Sequence, residues 1–205
     1  MVQFCFVLAP YYQVGIVEAG SDEAGRGCYA GPVFAAAVIL PPDFYHPLLN
    51  DSKQVVAEDR LVLKDFIEMT AVAWAVASVD NDEIDRINIL QASYKAMHLA
   101  IEKLALEPEL LLIDGNRFRS YQNIPHECII KGDGKYASIA AASILAKTYR
   151  DAYMCNLHAE YPMYGWERNK GYGTAEHRDA IGIHGLSKYH RHSYNILPQQ
   201  YEFEF

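Results

Sequence analysis

Apolar residues fall in short runs separated by polar or Gly/Pro-rich breaks, and the spacing within each run predicts its element. Residues 14–21 and 33–40 flank the Gly-rich stretch Gly25-Arg26-Gly27 as strand, turn and strand, with Pro41-Pro42 stopping the second. Residues 57–69 have helical spacing, and 72–79 read as a further strand. From 82 to 106, Ile84, Ile87, Leu90, Tyr94, Met97, Ile101 and Leu104 recur every three or four residues and predict one long helix. Leu110 to Ile113 is a short buried strand ending at the turn Asp114-Gly115-Asn116. A second apolar stub, 128–130, precedes Lys131-Gly132-Asp133-Gly134. A long helix is predicted over 136–158, where Ala137, Ala140, Ala141 and Ala142 allow another element to come close. Strands alternating with helices predict an α/β domain over 14–160. A lead segment (1–13) precedes it, a small helical and loop extension (161–198) packs on it, and a tail (199–205) follows.

Composition narrows the class. At 51% hydrophobic and 12% aromatic residues the chain can build a core, which excludes intrinsic disorder. Its longest apolar runs, such as 34–40 and 71–77, are too short to span a membrane. No Lys or Arg precedes Arg26, so the apolar start lacks the basic region of a signal peptide. Cys5, Cys28, Cys128 and Cys155 form no Cys-x-x-Cys pair, which argues against a zinc site or disulfide scaffold and for a reducing compartment. The expectation is a soluble cytoplasmic protein. The net charge of −8 is unevenly spread. Residues 1–100 hold 6 Lys/Arg against 13 Asp/Glu, whereas 115–198 hold 11 against 7 and six of the eight histidines. Such a basic half suits contact with phosphates, and equally an uneven surface.

Two Gly-rich stretches are decoys for nucleotide binding. Gly25 to Gly31 is spaced G-x-G-x-x-x-G and leads into a strand, and Gly132-Asp-Gly-Lys135 lacks the first Gly and the Ser/Thr of a phosphate loop. Four carboxylates share a more informative context. Asp22 and Glu23 end the first strand, Asp114 ends the 110–113 strand, and Asp133 follows the 128–130 stub. Strand ends on one edge of an α/β sheet are where ligands bind. Acids converging there repel one another unless a cation intervenes, and an all-oxygen set selects Mg²⁺ or Mn²⁺ over zinc. Each acid also has a plainer reading. Asp114 is a turn former, Asp133 a helix N-cap, and Asp22-Glu23 a solvated strand end whose neighbours face opposite ways.

The flanks of these acids resemble ribonuclease HII. The resemblance runs through Ser21-Asp-Glu-Ala-Gly-Arg-Gly27, Ala30-Gly-Pro-Val33, Asp51-Ser-Lys53, Asn88-Ile-Leu-Gln-Ala92 and Asp114-Gly-Asn116. It continues in the family's order through Lys131-Gly-Asp133, Ile139 to Lys147, Arg150-Asp151, Lys170-Gly-Tyr-Gly-Thr174 and His190-Arg191, covering roughly 15–194. It implies a ribonuclease H-like fold with a mixed central sheet flanked by helices. It also implies an enzyme whose four carboxylates, here Asp22, Glu23, Asp114 and Asp133, hold two Mg²⁺ or Mn²⁺ ions during catalysis. Such enzymes hydrolyse the RNA strand of RNA–DNA hybrids and cut 5′ to single ribonucleotides in duplex DNA, leaving 3′-hydroxyl and 5′-phosphate ends. All four acids are present, which counts against the rival reading, a hybrid-binding module without turnover.

By the same resemblance, the turn Gly25, Arg26 and Gly27 reads the 2′-hydroxyl with help from Tyr172. Lys53, Lys147 and Arg191 are expected phosphate contacts, although Lys147 is also placed to pair with Asp151 one helical turn on. Two positions depart from the usual pattern: Cys28 where many relatives have Pro, and Asn169 where bacterial members usually have His. The tail Gln200-Tyr-Glu-Phe-Glu-Phe205 loosely resembles peptides that dock on replication sliding clamps. A tail that folds back or stays disordered is the plainer reading. A monomer is expected.

Overall fold

The computed structural model describes residues 8–196. Five strands form one mixed sheet: β1 (Glu18–Ala24), β2 (Val33–Ile39), β3 (Ala73–Val79), β4 (Leu110–Asp114) and β5 (His126–Ile129), in the order β3-β2-β1-β4-β5. β1 and β2 pair antiparallel, as do β2 and β3, while β1, β4 and β5 run parallel. The C-terminal ends of β1, β4 and β5 therefore share one edge of the sheet.

The helices are α1 (Ala57–Thr70), α2 (Asn81–Ile87), α3 (Ile89–Glu102), α4 (Ala137–Glu160), α5 (Trp166–Asn169) and α6 (Ala175–His184). Every residue of β2 is buried, because both sheet faces are covered. Val33, Ala35, Ala37 and Ile39 pack with Ala92, Ala96, Met97 and Ala100 of α3, whereas Ala36 and Val38 pack with α1 and α4. The alanines expected to permit close approach do so. At Gly20 a Cβ would lie 2.2 Å from the Ser138 carbonyl carbon, so α4 presses directly on β1. A third buried cluster joins Met154 and Leu157 of α4 to Tyr164, Trp166, Ile181 and Ala30. It fastens the residues after Glu160 to the long helix. No helix among the described residues is long and apolar enough to cross a membrane.

Three expectations need correction. The single helix over 82–106 is two, because Asn88 takes a left-handed φ of 66° and its side chain caps α3 by accepting from the N–H groups of Leu90 and Gln91. β1 begins at Glu18 instead of 14, after a turn at Gly15 with φ 83°. It also does not stop before the acids: pairing with β2 carries it through Asp22 and Glu23 to Ala24, opposite Phe34. The tail at 199–205 lies outside the described residues.

Candidate active site

β1 and β4 stay paired only as far as Ser21 and Ile113, so the next residues of each open a crevice at the sheet edge. Asp22 and Asp114 stand at its two lips. Asp133 arrives from the 3₁₀ turn Gly132–Gly134, which Lys131 enters in a left-handed conformation. The plainer reading of Asp133 fails, since the N-cap of α4 is Tyr136. Carboxylate oxygens of Asp22, Asp114 and Asp133 all lie within 4.8 Å of one another. The Gly132 N–H donates to Asp114 Oδ1 at 2.7 Å, which ties the second and third acids together.

Glu23 stands apart from this trio for the reason that strand geometry dictates. Asp22 is opposite Ala36 and faces α4, while Glu23 is opposite Ala35 and faces α3. Glu23 lines a cavity of about 290 Å³ with Leu90, Tyr94, Met97, Asp114 and Arg26. It accepts from Arg26 Nη1 at 3.0 Å. The four acids thus straddle the sheet edge, Asp22 and Asp133 on one side, Glu23 on the other, and Asp114 between, within reach of both.

Burial dominates their electrostatics. Burial, then the charges of Glu23 and Asp114, pushes Asp22 well above the usual carboxylate range, against hydrogen bonds from Ser143 and from the Glu23 N–H. Burial also raises Glu23, opposed by Arg26. Asp133 is raised by burial, by Asp114 and by Asp51, with Lys53 opposing. These groups fit a hard divalent cation. The trio offers only carboxylate oxygens, Asp22 and Asp133 are buried with Asp114 partly so, and its own repulsion is what a cation would relieve.

A second cavity of about 210 Å³ connects the acids to the expected substrate readers. Asp22, Glu23, Asp114, Gly25, Arg26, Gly27, Lys53, Lys147 and Tyr172 all line it. Tyr172 is 42% exposed. Lys147 does pair with Asp151, at 2.7 Å, and its Nζ also lies 5.8 Å from the centre of the Tyr172 ring. Arg191 is the exception and the expectation for it is corrected. It is fully buried, and its guanidinium donates to the carbonyls of Gly25, Arg26 and Gly31, so no face is left for a phosphate.

Several neighbours escaped the sequence reading. Ser143 lines the same cavity as Asp22 and holds its pKa down, and Ser52 Oγ lies 2.9 Å from Ser143 Oγ. The charge of Asp51 is felt at Asp133 and helps to raise it. Both Asp51 and Ser52 sit in the Asp-Ser-Lys motif, but only its lysine had a legible charge role. The two departures are structural. Cys28 is fully buried and bridges to Tyr172 through its backbone. Asn169 braces the Lys170-Gly171 turn, donating to Tyr164 O at 2.7 Å and accepting from Gly171 N at 2.8 Å.

Comparison with known proteins agrees with this geometry. The ribonuclease HII family profile matches residues 19–196. Ribonuclease HII of Bacteroides thetaiotaomicron is 60% identical over 191 residues, covering 93% of this chain and 96% of that one. The Parabacteroides distasonis ribonuclease HII is 60% identical over 199 residues, covering 97% and 100%. Among solved structures, Pyrococcus horikoshii ribonuclease H2 superposes with a TM-score of 0.72 at 23% identity, over 87% of this chain and 94% of that one. The ribonuclease HII in the PCNA complex from Archaeoglobus fulgidus gives 0.72 at 22%, over 91% and 98%. On the extent of these matches, the chain belongs to the ribonuclease HII family.

Proposed function

We propose that this protein is an endoribonuclease that hydrolyses the RNA strand of RNA–DNA hybrids and cuts 5′ to single ribonucleotides in duplex DNA, leaving 3′-hydroxyl and 5′-phosphate ends. The observation that carries the reading is one cavity lined by Asp22, Glu23 and Asp114 together with the Gly25–Gly27 turn and Tyr172.

Asp22, Asp114 and Asp133, with Glu23 from across the sheet edge, would hold Mg²⁺ or Mn²⁺. Such ions, when bound, supply water activation and leaving-group stabilisation in phosphoryl transfer. The protein's part is to orient. The Gly132 N–H orients Asp114, and the Glu23 N–H orients Asp22. Distinguishing RNA from DNA requires contact with a 2′-hydroxyl. Gly25 and Gly27 let the backbone come that close, and Arg26 adds a fork for phosphate. Tyr172, half-exposed over the same cavity, would stack on the neighbouring deoxyribose. Lys53 and Lys147 complete the phosphate contacts.

We take the protein to act as a cytoplasmic monomer. Residues 199–205 have no part in cleavage on this reading. A chain lacking them cuts at the full rate, and binding of both forms to a sliding clamp checks whether the tail docks there.

The first test is cleavage of a labelled DNA duplex carrying one ribonucleotide, with and without Mg²⁺ or Mn²⁺, beside an all-DNA control. A metal-dependent cut immediately 5′ to the ribonucleotide, with all-DNA intact, is the expected result. Binding without cleavage in either metal would favour the non-catalytic module.

A further inference from the structure

The Gly-Arg-Gly turn belongs to a longer loop, 25–32, whose shape is imposed from outside. Two fully buried arginines grip it. Arg150, from α4, donates to Pro32 O at 3.1 Å, Ala30 O at 3.1 Å and Lys170 O at 2.8 Å. Arg191, from the C-terminal segment, donates to Gly25 O at 2.7 Å, Arg26 O at 2.8 Å and Gly31 O at 2.9 and 3.0 Å. Neither guanidinium has a carboxylate partner among the described residues. Tyr194 adds to the grip, its hydroxyl donating to Arg26 O at 2.8 Å.

Two unpaired buried cations are a costly way to hold a loop whose only need is stability, since apolar side chains would fill the same volume at lower cost. What a guanidinium does that an apolar side chain cannot is fix the direction of several carbonyls at once. With the carbonyls of 25 and 26 drawn inward, the N–H groups of Gly25, Arg26 and Gly27 donate to no protein acceptor among the described residues. Those three residues line the cavity shared with the acids. Gly25 is part of the fit: its φ is 99°, and a Cβ there would lie 2.0 Å from Arg150 Nε.

We infer that Arg150 and Arg191 are positioning residues for ribonucleotide recognition, holding the 25–32 carbonyls inward so that the turn presents its N–H groups to the 2′-hydroxyl. The inference rests on the function proposed above. It assigns the C-terminal segment, which supplies Arg191 and Tyr194, a direct share in substrate discrimination. Lys cannot replace either Arg, because one ammonium cannot span acceptors fixed by a planar fork.

The test uses full-length protein carrying Asp114→Asn to prevent cutting, in Mg²⁺, with fluorescence anisotropy on two duplexes identical except for a single ribonucleotide. The readout is the ratio of the two affinities. Adding Arg191→Lys lowers that ratio at least about tenfold, the scale of lost charge-assisted hydrogen bonds, while all-DNA affinity stays within about twofold. A role confined to stability would weaken both duplexes together and leave the ratio alone. A folded Arg191→Lys protein that keeps the parent ratio overturns the inference. Should that variant melt below the assay temperature, Tyr194→Phe decides: a ratio lowered about threefold is expected from one lost neutral hydrogen bond, and an unchanged ratio overturns the inference. A parent ratio near one, by contrast, removes the proposed function and the inference with it.

Discussion

At the scale of single residues, Asp114 carries the most chemistry for its size, because both other members of the trio feel its charge. Its presence raises Asp22 and Asp133, and its Oδ1 accepts from Gly132. Asparagine keeps that accepting oxygen and removes the charge. Asp114→Asn therefore leaves duplex affinity close to normal while cleavage falls at least about a hundredfold, as the loss of a few kcal/mol of charge stabilisation requires. Strong residual activity in a gel-based assay would remove Asp114 from the site. The same substitution has the opposite sign for stability. Without metal, acids whose folded pKa is raised stabilise the fold below their unfolded pKa and lose that contribution as pH rises through the folded value. In EDTA, Asp114→Asn should thus melt about 2–4 °C above the parent near pH 7, for roughly 1 kcal/mol of relieved repulsion, with the gap closing toward pH 4. Saturating Mg²⁺ reverses the order, since the parent at a hundred times its Kd gains about 2.7 kcal/mol. An EDTA melt with the parent equal or higher at pH 7 contradicts the repulsion. The convergence of Asp22, Asp114 and Asp133 was legible in sequence because each sits beside a Gly-rich turn or strand end. Ser143 was not, since a serine inside an alanine-rich helix carries no mark of which acid it will face. Arg191 misled because a surface phosphate contact and a buried carbonyl clamp are the same letter in the sequence.

At the scale of elements, Asn88 divides what periodicity runs together. Apolar residues on either side keep helical spacing, so the pattern continues across a break that the backbone makes with one left-handed residue. With ψ at 162° the residue lies outside the αL well that Asn favours, in a region that costs any side chain strain, and its short side chain offsets this by capping the next helix. Asn88→Ala loses the cap and should cost about 1 kcal/mol, because the Cβ strain at this backbone is the same for Asn and Ala. Asn88→Gly, which has the backbone freedom, should cost appreciably less. Urea denaturation of the two variants beside the parent checks the ranking; equal losses would mean that backbone strain is not what limits the site. The break matters for function because α3 starts there and its Leu90, Tyr94 and Met97 wall the cavity that Glu23 enters. β1 illustrates the reverse case. Its strand character through Asp22 and Glu23 was hidden, because two adjacent charged residues look like an end. The pairing with β2 that extends it, Ala24 opposite Phe34, is a long-range fact.

At the scale of the whole molecule, the C-terminal segment is tied to the Tyr172 backbone by a buried histidine pair whose tautomers the structure determines. The Tyr172 carbonyl can only accept, so His177 carries its proton on Nδ1, 2.9 Å away. His177 Nε2 then turns its single lone pair to two donors that share it, Trp166 Nε1 and His190 Nε2, each at 3.1 Å. That leaves His190 Nδ1 to accept from the Ser187 N–H at 2.9 Å. Neither ring can take a second proton without losing a bond. Burial, with the neighbouring His177 and His192 adding, pushes His190 down to about 4 against the Ser187 contact, and burial lowers His177 as well. A histidine whose folded pKa lies below its unfolded value gives its full contribution above the unfolded pKa and loses it as pH falls toward the folded one. For His190 the window runs from about 6.5 down to about 4, and the loss by pH 5 is about 2 kcal/mol. His190→Asn keeps an acceptor for Ser187 and cannot be protonated. It should start less stable than the parent at pH 7, having lost the contact to His177, yet fall less between pH 7 and pH 5 in paired urea titrations. Parallel losses in the two proteins would mean that the pH sensitivity lies elsewhere. Because Tyr172 hangs from this network by its carbonyl, acid that loosens the histidines should also disturb the half-exposed ring over the cavity. The intrinsic fluorescence of Trp166 reports that loosening directly, and its change should track the stability loss in the parent and be blunted in His190→Asn.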